Sequence, residues 1–272
     1  MAAGLEDARV REWLFGRQAV RESLYAGRRQ AFRLLVAEGV AKAPILDEIT
    51  AAAQKRRVVI EKCPRQDIAR FTGVDDHQGV ALETSGYPFA TPDDMLALAH
   101  QRREPLLLLL LDLLQDVHNV GSLLRTAEVA GVHGIMIQER RAAGITPVTV
   151  NTSSGAVEHL LVAQVANLAQ AIEQLKAADV WIAGLEDARG ALPYTQVNMT
   201  LPLAIVVGSE GEGLRRLVRE RCDWLMSIPM RGKITSLNAA VAGSIALYEA
   251  LRQRSQFAAT TPSPFAPGSG AV

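Results

Sequence analysis

Between Pro105 and Asp112 the chain runs through six leucines without interruption, and that stretch decides most of what it can fold into. A strand with one wet face alternates apolar and polar residues. An unbroken apolar run reads instead as a strand covered on both sides, the kind found in parallel sheets between layers of helices. It is far too short to span a bilayer. A helical pattern, LLRTAEVAG, follows and stops at Gly131, and a second apolar strand, GIMIQ, comes next. Strand, helix and strand in that order make a βαβ unit.

The alternation continues downstream. VTVNTSSGAVEHLLVAQV reads as a short helix and a strand, Asn167 to Ala178 as a helix, VWIAGLE and LPLAIVV as strands, and DWLMSIPM as a last strand after a glycine-rich turn and a helix. The closing stretch SLNAAVAGSIALYEALR predicts a helix of small and apolar residues, with the Ser236 hydroxyl as its cap. Upstream, FGRQAVRESLYAG places Val20 and Leu24 on one face of a helix closed by Gly27. AFRLLVAEG, VVIEKC and GVALET read as strands, separated by helices at Ile45 to Ala53 and QDIARFTG. His77 and Gln78 stand at a strand entrance and read as structural or capping.

The expected division is therefore a small α/β domain over 12–84 and a larger α/β domain with a mostly parallel sheet over 105–256. Between them, 85–104 reads as a connector punctuated by Ser85, Gly86, Pro88 and Pro92. Residues up to about Arg11 read as a loose terminus, and 257–272 as a disordered tail too poor in large apolar side chains to fold.

Lys+Arg and Asp+Glu balance at 29 each, so contact with a polyanion must rest on local clusters. Four stand out: Arg28, Arg29 and Arg33; Lys55, Arg56, Arg57, Lys62 and Arg65; Arg215, Arg216, Arg219 and Arg221; Arg231 and Lys233. Any of them also fits a solvated helix face. Cys63 and Cys222 stand far apart without metal-ligand spacing, so neither a disulfide framework nor a metal site is indicated. No signal-peptide or membrane-spanning run is present, and a cytoplasmic protein without a membrane partner is expected.

Three polar loops follow strands of the second domain, where open α/β sheets hold their ligands. The first carries Asp112, Asn119, Gly121, Arg125, Thr126 and Ala127; Arg125, one helical turn beyond Gly121, can reach back to a phosphate or hydroxyl. The second is GSEGEG, Gly208 to Gly213. Its three glycines allow close backbone approach to a ligand, while Glu210 and Glu212 make it a poor phosphate cradle. It has neither the GK[ST] of a P-loop nor the dinucleotide G-x-G-x-x-G. The third is the junction IPMRGKITSLNAAVA, with Ser236 and Asn238.

In this order and at these separations, HNVGSLLRTAE, VVGSEGEG and SIPMRGKITSLNAAVA resemble the three signature motifs of the SpoU (TrmH-like) family of RNA ribose 2′-O-methyltransferases, in the SPOUT superfamily. Through FGRQAVRESL and HQGVAL the first domain resembles that family's substrate-binding module, itself similar to ribosomal kink-turn-binding proteins. The resemblance implies a C-terminal segment threaded into a deep trefoil knot, S-adenosylmethionine as methyl donor without a metal, and a homodimer through the knotted domain. It implies Gly208, Ile228 and Leu237 as cofactor-binding residues and Asn119, Arg125, Glu210, Ser236 and Asn238 as catalytic ones. The run AGVHGIMI together with TSSGAVEHL looks most like members that modify a guanosine of large-subunit ribosomal RNA. A transfer-RNA enzyme and a non-catalytic RNA-binding protein of the same fold remain as alternatives.

Overall fold

The computed structural model describes residues 10–209, 211 and 213–260. The first part of the chain builds a four-stranded sheet from β1 (Arg11–Phe15), β2 (Ala31–Ala37), β3 (Val59–Cys63) and β4 (Val80–Ser85), in the order β1-β4-β2-β3. Only β2 and β3 run parallel. Helices α1 (Arg17–Ala26) and α2 (Pro44–Lys55) bury Val20, Leu24 and Ile49 against one face, and α3 (Arg65–Thr72) buries Ile68 against the other. Residues 1–9 lie outside the described residues; strand β1, which was not read from the sequence, begins at Arg11, where the expected loose terminus ends. Its apolar stretch, Trp13 to Phe15, is too short to show a period of two, and its place is fixed by antiparallel pairing with β4, Leu14 opposite Leu82. His77 and Gln78 are structural, as expected. Gly79 N–H donates to His77 Nδ1 at 3.1 Å, and Arg17 N–H at the start of α1 donates to Gln78 Oε1 at 3.0 Å.

After α4 (Pro92–Arg102) the leucine run forms β5 (Leu107–Asp112), buried throughout. The chain continues as α5 (Val117–Val129), β6 (Gly134–Gln138), α6 (Pro147–Thr152), β7 (Val162–Val165), α7 (Leu168–Ala177), β8 (Trp181–Leu185) and the short β9 (Leu192–Pro193). It ends through β10 (Leu203–Gly208), α8 (Arg216–Arg221), β11 (Trp224–Ser227) and α9 (Ala239–Thr260). The seven strands lie in the order β7-β6-β5-β10-β8-β11-β9, and every pairing is parallel. Alternate leucines of the run serve opposite faces. Leu107, Leu109 and Leu111 join a core with Val120, Leu123, Val150 and Leu247, while Leu106, Leu108 and Leu110 join one with Met95, Ile172 and Val218. Each such burial contributes about 2 kcal/mol, which is why no polar residue interrupts the run.

Helix α9 starts at Ala239, but its cap differs from the one expected. Asn238, not Ser236, caps it: Asn238 Oδ1 accepts from Ala240 N at 3.0 Å and from Val241 N at 3.2 Å. A cap works only from the position just before the first helical residue, and Ser236 lies too far upstream. The small residues of the first turns have a packing reason, since a Cβ on Gly243 would sit 2.8 Å from Leu123 Cδ1. The helix continues to Thr260, past the end expected at 256, and the rest of the expected tail lies outside the described residues.

The first arginine cluster is not a solvated face. The Arg29 side chain is fully buried and paired with Glu158 at 3.0 Å, Arg28 is spent on the Tyr87 hydroxyl and the Pro88 carbonyl, and Arg33 is held by Glu83 at 2.7 Å. The reason is tertiary: the residues around Arg28 and Arg29 pack against the segment that leads into β7. The third cluster is also paired internally, Arg215 with Asp112, Arg216 with Glu220, Arg219 with Glu186 and Arg221 with Glu173. Tyr87 is buried and Met95 of α4 fully so, which packs the expected connector along much of its length.

Candidate active site

Strands β5 and β10 are neighbours, but the chain leaves their carboxyl ends in opposite directions, toward β6 from one and toward β11 from the other. A crevice opens where the order reverses, and it is the ordinary ligand position of an open parallel sheet. Its rim is the paired residues Asp112 and Gly208. Beside them lies a cleft of about 660 Å³, bounded by the loop after β10, the residues after β8, and the segment from Ile228 to Ala239.

The loop after β10 folds back on its own strand. A Cβ on Gly208 would lie 2.4 Å from the Gly213 carbonyl, so only glycine permits the return, and Gly211 and Gly213 have φ of +87° and +67°. Buried Asp112 ties down the loop's far end by accepting from Arg215 N at 2.9 Å and Arg215 Nε at 2.7 Å. Glu186 accepts from Arg219 Nε at 2.7 Å and so holds α8 to the end of β8. Under this wall Cys222 is pushed up to about 12 by burial, which leaves it a thiol and not a nucleophile.

Gly208, Ile228, Ser236, Leu237 and Asn238 all line the cleft, and the last three are exposed on an irregular segment that forms its outer wall. Asn238 Nδ2 donates to Asn119 Oδ1 at 2.8 Å, which joins the first and third motifs. Arg125 is not in the cleft. It lies exposed on α5 with Nη1 3.3 Å from Ser154 Oγ, on a different face from Asn119 and Thr126, which turn toward α9. Glu210, like Glu212, lies outside the described residues. The sequence reading missed Glu186, Asp187, Met226 and Ala242 of the lining. The first two immediately follow a central strand of the sheet, and that position was their only signal.

The lining combines an apolar floor, Val207, Met226, Leu237, Ala239 and Ala242, with a wall bearing Glu186 and Asp187 and with loop backbone groups. A flat apolar ring carrying a positively charged group fits this chemistry, and a polyphosphate fits it poorly.

Residues 106–248 match the SpoU rRNA Methylase family, and residues 13–90 match the family described as RNA 2′-O ribose methyltransferase substrate binding. The chain belongs to the SpoU rRNA methylase family. It is an RNA 2′-O-methyltransferase with S-adenosylmethionine as its methyl donor. Among similar proteins, YacO of Bacillus subtilis, named as a TrmH family tRNA/rRNA methyltransferase, is 39% identical over 243 residues, covering 89% of this chain and 96% of YacO. The AdoMet-bound rRNA methyltransferase of Sinorhizobium meliloti is 24% identical with a TM-score of 0.72, covering 89% of this chain and 87% of that one, a likeness of fold. The TrmH/SpoU tRNA modifying enzyme of A. aeolicus is 26% identical with a TM-score of 0.51 and covers 60% of this chain and 85% of its own.

Proposed function

We propose that this SpoU-family chain methylates the ribose 2′-hydroxyl of a guanosine in large-subunit ribosomal RNA, as a homodimer whose two sites are each built from both copies. The single observation that carries the shared site is the position of Arg125: Asn119 and Asn238 meet at the cleft, while Arg125 points elsewhere from the same helix. Two copies paired through the exposed face of α9, where Val241 and Tyr248 stand open one above the other, bring the arginine of one to the cleft of the other. The ribosomal target is favoured over transfer RNA by layout. The rRNA enzyme of S. meliloti matches both parts of this chain, whereas the tRNA enzyme of A. aeolicus matches 60% of it. In this reading 12–84 form the RNA-binding domain, 85–104 join it to the methyltransferase domain of 105–256, and the work is done in the cytoplasm. The loops Gly208 to Gly213 and Ile228 to Leu237, which face each other across the cleft, are the loops of a trefoil knot.

When bound, S-adenosylmethionine supplies a methyl group on a sulfonium whose departure leaves a neutral thioether, so the leaving group needs little help. Gly208, Ile228 and Leu237 hold the donor through backbone groups and apolar contact, with Asp187 beside its positive charge while Glu186 stays paired with Arg219. The harder task is the ribose hydroxyl, a very weak acid. Asn119, Ser236 and Asn238 orient the sugar, and Glu210 belongs to the same set. Arg125 stays a cation; it clamps the adjoining phosphate and steadies the negative charge growing on the oxygen, while the proton passes to a phosphate oxygen or water. Exposed Arg231 and Lys233, on the segment that walls the cleft, supply positive charge for RNA.

The test uses co-expressed, differently tagged chains bearing Arg125→Ala and Asn238→Ala. Each is inactive alone. A shared site restores about a quarter of wild-type methylation in a random mixture, because half the dimers are mixed and each keeps one whole site. No recovery in isolated mixed dimers rejects the shared site. Nucleotide-resolution mapping of ribose methylation in cells with and without the gene then reads the target, and a lost signal in transfer RNA alone rejects the ribosomal assignment.

A further inference from the structure

We propose that the buried Arg29–Glu158 pair is a positioning device that fixes the substrate-binding part at one set distance from the methyl-transfer cleft, so that bound RNA is presented to one nucleotide only. The proposal rests on the reading of the chain as an RNA methyltransferase.

Both side chains are fully buried although 129 residues separate them, and Arg29 Nε reaches the two carboxylate oxygens at 3.0 and 3.1 Å. Arg29 Nη1 also donates to Glu12 at 2.7 Å and to the Ser85 carbonyl at 3.1 Å. Tyr87, from the segment between the two sheets, completes the joint: its hydroxyl lies 2.6 Å from the Leu160 carbonyl and accepts from Arg28 Nη1 at 2.8 Å. Burial pushes the Tyr87 hydroxyl up to about 12, which keeps it a donor.

What the joint grips matters more than its strength. The stretch from Thr152 to Glu158 has a second side, and that side lies against α5. A Cβ on Gly121 of α5 would meet Thr152 Oγ1 at 2.2 Å, Thr152 Oγ1 donates to the Val117 carbonyl at 3.1 Å, and Ser154 Oγ receives Arg125 at 3.3 Å. On the first side a Cβ on Gly155 would lie 2.6 Å from Glu22 Cβ of α1. The substrate-binding part is thus mounted on the helix that carries Asn119 and Arg125, and one apolar cluster runs unbroken from Leu14 and Val20 through Tyr87 and Val157 to Leu123.

A buried ion pair stabilises little more than an apolar pair of the same shape, because desolvation offsets the attraction. It does demand one geometry, since Arg29 Nε must meet Glu158 while Nη1 of the same rigid plane meets Glu12 and the Ser85 carbonyl. Fixed geometry is what a methyltransferase acting far from its recognition surface needs: a misplacement of about 1 Å at the reacting atoms costs on the order of 10²-fold in rate.

The test compares the full-length wild type with Arg29→Met/Glu158→Leu, and with the milder Tyr87→Phe in case the double variant does not fold. Three quantities are measured: donor affinity by calorimetry, small-angle scattering with limited proteolysis of residues 86–104, and methylation of ribosomal RNA fragments at nucleotide resolution. The expected result is unchanged donor affinity, a loosened first part, and a roughly 10- to 100-fold fall in kcat or methylation spread to neighbouring nucleotides. Tyr87→Phe shifts the same readouts in the same direction and by less. A loosened first part with wild-type rate and target, or a first part that stays docked, overturns the proposal. Failure of the wild type to methylate any RNA overturns the activity reading instead, and the scattering still reports on the mount.

Discussion

Asn119 Oδ1 and Asn238 Nδ2 lie 2.8 Å apart across 119 residues of chain, and the contact joins the first turn of α5 to the cap of α9. Both helix N-termini therefore converge on the carboxyl edge of the sheet. Asp116 caps the first by accepting from His118 N at 2.9 Å, and Asn238 caps the second. The positive ends of two helix dipoles at one place favour negative charge there. That is the charge a ribose oxygen develops as it attacks.

Asn238 holds two jobs that separate by substitution. Its Oδ1 caps α9 and its Nδ2 donates to Asn119. Asn238→Asp keeps the acceptor and loses the donor, so melting temperature is expected near wild type with methylation strongly reduced. Asn238→Ala loses both and about 1 kcal/mol of stability besides. Thermal melts and methyl-transfer assays on the two variants decide it; equal activity of Asn238→Asp and wild type would show that the bond to Asn119 is irrelevant to turnover.

Gly208 is expected to be the most sensitive position of the proposed donor site. Its Cβ would meet Gly213 backbone at 2.4 Å, and backbone cannot rotate away as a side chain can. Gly208→Ala therefore pushes the loop into or off the cleft, while β10 keeps its pairing to β5 and β8. The expected cost of overpacking is about 1–3 kcal/mol, felt as a loss of donor affinity of roughly 10- to 100-fold. Calorimetric titration of the donor measures it, and affinity within twofold of wild type would refute the loop's part in binding.

How much of this was legible depended on the range of the forces involved. The leucine run announced a doubly covered strand because burial of both faces leaves no polar residue, and the three loops after β5, β10 and β11 were readable as a site because a parallel sheet puts its ligand there. Strand β1 was not readable, since its place depends on pairing with β4 far along the chain. The arginines at 28, 29 and 33 read as a basic patch because charge in a sequence carries no sign of burial; the partner that buries Arg29, Glu158, is named only by the fold. The same limit hid Glu186 and Asp187, whose neighbours in the cleft come from distant loops.

The tie between Asp112 and Arg215 predicts an effect at a distance from the donor. Asp112 is fully buried and takes both the backbone N and the side chain of Arg215, just beyond the glycine loop. Asp112→Asn keeps the shape but drops the charge, so the bond to the guanidinium weakens and the loop loosens. A rise in donor Kd of about tenfold is expected, since charge-assisted hydrogen bonds contribute roughly 1.5–3 kcal/mol and part survives in the amide. Arg215→Lys should weaken donor binding as well, because an ammonium does not reproduce the two guanidinium N–H groups, on Nε and Nη2, that meet at Asp112 Oδ1. Donor titrations of both variants check this; unchanged affinity in Asp112→Asn would locate the loop's rigidity elsewhere.

Acid should destabilise the fold in a window set by two buried histidines. His133 Nδ1 accepts from Leu107 N at 3.0 Å, leaving the proton on Nε2, 3.1 Å from Glu104 Oε2. Burial holds His133 below its ordinary value despite Glu104, and burial followed by repulsion from Arg65 does the same for His77. Protonating Nδ1 would also cost the bond that starts β5. With folded values below the unfolded one of about 6.5, the unfolded chain takes up protons first on acidification. Stability is therefore full above about 6.5 and declines as pH falls toward the folded values. Melting temperatures between about pH 5 and 8 are expected to drop on the acid side. His133→Asn, whose amide oxygen takes the Leu107 N–H without titrating, should flatten the curve and leave only the share due to His77. A variant curve that superimposes on the wild type would remove His133 from the account.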